Sequence, residues 1–146
     1  MALFGVLINF LKLSALLVIV GSTITIGALA APVIFKGLAR EEAARVMIEI
    51  FARYDVWLKF AAISLLISSI LKFILIDKLS LNPVSIISLA IVLIITIISF
   101  YEIYALSPQI LDAYKNSADN FQHLHSLSEK IHKMNFLLGL VLLFLA

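Results

Sequence analysis

The chain has 146 residues, 63% of them hydrophobic and 14% charged, with a mean hydropathy of +1.14. A water-soluble domain is about half apolar and about a quarter charged, so this chain has too little polar surface to cover a water-facing core and needs lipid as its solvent. The net charge of +2 excludes a nucleic-acid footprint, and the lack of cysteine excludes disulfides, thiolate nucleophiles and Cys-ligated metals.

The first apolar stretch covers residues 3–35 and would form a helix of roughly 50 Å. That exceeds the hydrocarbon core of about 30 Å, so the helix should tilt or project. Ala28-Leu29-Ala30 mimics a signal cleavage site. Met1–Leu11 has no basic side chain, however, and the apolar run is too long for a signal, so the helix is expected to be kept. Near its outer end Asn9 and Lys12 read as an anchoring pair, with Lys12 snorkelling outward. Gly27 and Ala31 form a small-x-x-x-small pair that permits close helix approach. Pro32 should kink or end the helix.

In Arg40–Phe51, Ala44, Met47, Ile48 and Phe51 recur opposite Arg40, Glu41, Glu42, Arg45 and Glu49. This pattern predicts an amphipathic helix on the membrane surface, or an extension of the second span. The second span covers 54–76 and opens on Arg53, Tyr54, Asp55 and Lys59. A tight turn over Asp77–Pro83 leads to the third span, 84–106, which closes on Tyr101, Glu102 and Tyr104. Lys59 and Glu102 lie at matching depth, so an ion pair between them is expected. Asn116–Asn120 reads as a turn with capping residues, so a new helix should start near Asn120.

The fourth apolar run, from Met134, is too short to cross alone and must borrow preceding turns, giving a span over 124–146. His125, Ser128, His132 and Asn135 then form one stripe on a helical face. Such a stripe faces protein or water, as interhelical glue or as a ligand site. His125 and His132 are about 10 Å apart along the axis, too far for one metal ion to bridge. A metal held by His125 or His132 would need Glu102 or Asp55 from a neighbouring helix.

These readings combine into an all-α, integral membrane four-helix bundle with antiparallel up-down topology and an amphipathic cytoplasmic helix before the second span, a single domain over residues 1–146. Lys36, Arg40, Arg45 and Arg53 flank the first loop, and Lys115, Lys130 and Lys133 the third. The other side has only Lys12, Lys72 and Lys78. The positive-inside rule therefore puts the first and third loops in the cytoplasm and both termini outside. No nucleophile elbow, zinc-protease motif, Walker loop or dinucleotide fingerprint is present.

Ala31-Pro32-Val33-Ile34-Phe35-Lys36-Gly37-Leu38-Ala39-Arg40, then Ala44 and Phe51-Ala52-Arg53-Tyr54, resembles the family typified by transmembrane protein 205. Phe121-Gln122-His123-Leu124-His125-Ser126-Leu127-Ser128 fits the F-x-x-L-H-x-x-S pattern of that family. The resemblance implies a small four-span bundle and points to Pro32, Phe35, Arg40, Phe51, Tyr54, Phe121, His125 and Ser128. One departure is His132, where the family pattern usually has Asn. The architecture is also similar to copper-resistance D-type membrane proteins and to small membrane protoporphyrinogen oxidases. The first-helix histidine and aromatic signature of the oxidases are absent here.

Three functions follow as expectations. The first is binding or transport of a small cation, metal ion or polar solute at a cytoplasmic-side cluster of Arg53, Tyr54, Asp55, Lys59, Glu102, His125, Ser128, His132 and Asn135. The second is an accessory role in a homo-oligomer or larger membrane complex. The third is an enzyme with haem or a quinone between the helices and His125 as ligand or proton relay.

Overall fold

A computed structural model describes residues 2–79, 82–117 and 119–145. Ser80 and Leu81 of the second loop, Ala118 of the third turn and the terminal Met1 and Ala146 lie outside the described residues. Every regular element among the described residues is helical. The elements join into four long rods. The first contains α1 (Ala2–Thr23), a π-helical segment (Ile24–Ala30) and α2 (Ala31–Gly37). The second contains α3 (Arg40–Leu71) and a π-helical segment (Lys72–Ile76). The third contains α4 (Pro83–Tyr101), a π-helical segment (Glu102–Leu106) and α5 (Ser107–Lys115). The fourth is α6 (Phe121–Leu145).

Three stretches, Leu3–Gly37, Arg40–Ile76 and Pro83–Lys115, are long and apolar enough to cross a membrane. The fourth rod starts at Phe121, just after the predicted turn, and runs unbroken for 25 residues. Its first half carries Glu129, Lys130 and Lys133, and an apolar half follows from Phe136.

The amphipathic segment Arg40–Phe51 is not a separate surface helix. It is the first third of α3 and continues directly into the second span. Its inward positions are Ala43 and Met47, with Tyr54 and Leu58 continuing the same line at helical spacing. Pro32 does not end its helix either, because the rod passes through it to Gly37. A proline ring clashes with the carbonyl four residues earlier, here that of Ala28, and a widened turn over Ile24–Ala30 makes room for it. The third rod repeats the device: Pro108 would clash with the Tyr104 carbonyl, and Glu102–Leu106 is widened. The second rod ends in a wide turn with Asp77 N–H donating to the Lys72 carbonyl at 3.0 Å. Asn82 caps the third rod, accepting from Val84 N–H, with Pro83 in the first turn where its missing N–H costs nothing.

The first rod packs on the second and fourth, and α4 in the third rod also packs on the second and fourth. Leu16, Ile19, Leu58, Leu65, Ile95 and Leu142 are fully enclosed at the centre. Gly139 of the fourth rod lets it approach the first closely, since a Cβ there would lie 2.7 Å from Val20 Cγ2. Leu17, Val33, Trp57, Phe60, Ile97 and Leu137 are each more than half exposed. A surface this apolar is suited to acyl chains. Against the expectation that it faces outward, Lys12 is only 3% exposed and lies inside the bundle, whereas Asn9 is exposed.

Candidate functional site

Glu102 opens the wide turn of the third rod and is 1% exposed. Widened turns re-aim side chains and recur at functional positions. Ser128 Oγ donates to Glu102 Oε1 at 2.5 Å, and His132 Nδ1 lies 3.9 Å from the same oxygen. His132 Nδ1 is also 2.8 Å from the Ser128 carbonyl. An N–H on Nδ1 serves that carbonyl and leaves Nε2 with a lone pair. One turn further along the fourth rod, Asn135 Nδ2 donates to Ser99 Oγ at 3.2 Å. The His132 ring sits against Tyr54 at 5.3 Å between centroids and against Phe51 at 5.9 Å.

Four buried polar atoms around this cluster have no hydrogen-bond partner among the described residues: Tyr54 Oη, Glu102 Oε2, His132 Nε2 and Asn135 Oδ1. Tyr54 Oη lies beside the Ser22 and Thr23 hydroxyls of the first rod. Ser22 and Thr23 themselves bond back to carbonyls of Val18 and Ile19. Asp55 is half-buried and lies near Ser107, Glu102 and His132. Buried polar groups are nearly always satisfied, and an orphaned one costs about 1–3 kcal/mol. Several orphans side by side therefore mark a place where the fold gives up stability.

The structure brings Tyr54, Glu102, Ser128, His132 and Asn135 together, with Asp55 at the edge. It leaves three predicted residues apart. Lys59 does not pair with Glu102; its Nζ lies 5.4 Å from the centroid of the Tyr104 ring. Arg53 is exposed. His125 is 40% exposed along its side chain, stacks on Phe121 and reaches Glu129 at 3.5 Å. The stripe therefore splits: its later members face the core and its first faces outward. Among the described residues no three histidines or acids gather closely enough to hold a metal ion, so His125, His132 and Glu102 do not form a ligand triad. Sequence reasoning missed Ser99, and it reached Phe51 through the amphipathic pattern and the family resemblance without placing it beside His132. Ser99 was within reach, standing one turn before Glu102 on the same face.

The all-helical rods, their lipid-suited surface and the enclosed polar cluster define a multi-pass integral membrane protein. The chain matches the family described as Domain of unknown function (DUF4149) over residues 14–118, most of its length, and belongs to it. No curated protein and no solved structure matches. The likeness to the transmembrane protein 205 family rests on the motif residues alone. The family match takes in Tyr54 and Glu102 but stops before Ser128, His132 and Asn135.

Proposed function

We propose that the protein binds a small cation carrying hydrogen-bond donors between its second, third and fourth rods, at Tyr54, Glu102, His132 and Asn135. The observation that carries this reading is the set of orphaned atoms. A carboxylate oxygen, an amide oxygen and an imidazole lone pair are all acceptors, and a phenol oxygen can join them. Such a set suits an ammonium-type ion better than an anion. A transition metal would find only Glu102 and His132 as strong ligands, fewer than the three or four it normally takes.

In this reading the four rods form an antiparallel bundle, with the first and third loops cytoplasmic by their basic excess. Glu102 then lies about 28 Å along the third rod from Pro83, close to the inner edge of a hydrocarbon core of about 30 Å. Carriage of the ion across the bilayer extends the reading, and intramembrane ionisable residues commonly serve that purpose.

The test is thermal unfolding of the purified protein in mild detergent against ammonium, methylammonium, guanidinium, sodium and potassium at constant ionic strength. At least one nitrogen cation should raise the Tm of the wild type along a saturable curve and leave Glu102→Gln unmoved. Equal Tm values for every cation, or an unchanged response in Glu102→Gln, defeat the proposal.

A second reading, an accessory subunit, is favoured by the first rod. A Cβ at Gly27 would meet nothing within 4 Å, so among the described residues nothing packs closely on Gly27. Small faces of this kind pack against other membrane helices. Gly27→Leu should then abolish co-purification of a partner helix protein while leaving the Tm of the lone chain unchanged. A partner that stays bound to Gly27→Leu refutes this use of the face.

A further inference from the structure

A second polar pocket, partly open, lies at the end of the bundle where the second rod turns into the third. It has a volume of about 30 Å³ and is lined by Lys12, Ser69, Lys72, Asp77, Ser85 and Ser88 among apolar walls. Lys12 is 3% exposed and Ser69 7% exposed, and Ser69 Oγ has no hydrogen-bond partner among the described residues. Asp77 is the one carboxylate in the lining, and its Oδ2 already accepts from Ser85 Oγ at 2.8 Å. Among the described residues neither Lys12 nor Lys72 has a carboxylate within 4.0 Å.

Among the described residues two ammonium groups therefore share a small pocket with one carboxylate, and the buried one, Lys12, lies away from bulk water. An uncompensated charge in such a place is costly. The hydroxyls of Ser69 and Ser88 can turn their hydrogens inward and add donors. The pocket has room inside for one or two water-sized species, which favours a monatomic guest over a larger one. We propose that it is a binding site for a single monatomic anion of chloride size, held by Lys12 and Lys72 with Ser69 and Ser88 as hydroxyl donors. The site is separate from the Glu102 cluster, because the enclosed apolar layer of Leu16, Leu65 and Ile95 lies between.

The experiment is thermal unfolding of the full chain in detergent, with sodium chloride replaced stepwise by sodium gluconate at constant ionic strength. The wild-type Tm should rise saturably with chloride, by roughly 3 °C at ten times the half-saturating concentration. Bromide should substitute for chloride, and Lys12→Met should remove the dependence. Where Lys12→Met does not fold, two milder variants decide. Lys72→Gln should raise the half-saturating chloride several-fold and Asp77→Asn should lower it. Identical wild-type Tm values in chloride and gluconate mean that the pocket holds water alone and overturn the proposal. So does a chloride dependence that survives Lys12→Met, or one unmoved in both Lys72→Gln and Asp77→Asn.

Discussion

The middle of the bundle and the end that holds Glu102 are built on opposite terms. In the middle, Leu16, Ile19, Leu58, Leu65, Ile95 and Leu142 are fully enclosed, and Gly139 brings the fourth rod against Val20 of the first. Two turns away Tyr54, Glu102 and Asn135 are nearly as enclosed and His132 is partly buried, yet among the described residues each keeps a polar atom without a partner. In lipid, helices associate through close packing and interhelical hydrogen bonds rather than through the hydrophobic effect. The middle uses packing to the full, whereas the Glu102 end leaves hydrogen-bonding capacity unused. A stretch that gives up stability in this way is where a bound species belongs.

Substitutions can break that contrast or sharpen it. The largest effect is expected from Gly139→Leu. Val20 is β-branched and stiff, so the rods must separate, and the loss should be about 3 kcal/mol, read as a lower Tm or as aggregation in detergent. Glu102→Ala should cost about 2 kcal/mol, because the buried Ser128 hydroxyl loses its acceptor. The contrast fails if Glu102→Ala costs as much as Gly139→Leu, for then the polar end is as structural as the middle. Lys59→Met should have the smallest effect, about 0.5 kcal/mol from the loss of its placement over the Tyr104 ring. Its cation response should match the wild type, since Lys59 stands outside the cluster.

Much of the candidate site was legible along single helices. Ser128 and Asn135 face the interior as their spacing predicts, and the helix that bears them begins just beyond the predicted turn. Depth was legible too: Tyr54 and Glu102 open and close their spans at the same end of the bundle. Partner choice was not. Lys59 and Glu102 have matching depth but lie on faces rotated away from each other, so Glu102 meets the fourth rod and Lys59 meets Tyr104. His125 belongs to the stripe by arithmetic, but 3.6 residues per turn carry it round to a half-exposed position beside Phe121 and Glu129.

By itself the sequence determined the solvent, the helical class and the faces within each helix, because hydropathy and a period near 3.6 are properties of one segment at a time. Tertiary structure decided that Lys12 points into the bundle rather than out of it, that Arg40–Phe51 continues the second rod, and that Pro32 and Pro108 are absorbed by widened turns. It also decided that Glu102 is held by Ser128, with His132 beside it. Each of these depends on how rods are rotated and offset against one another. That is a property of pairs of helices distant in the chain, which no spacing within one of them encodes.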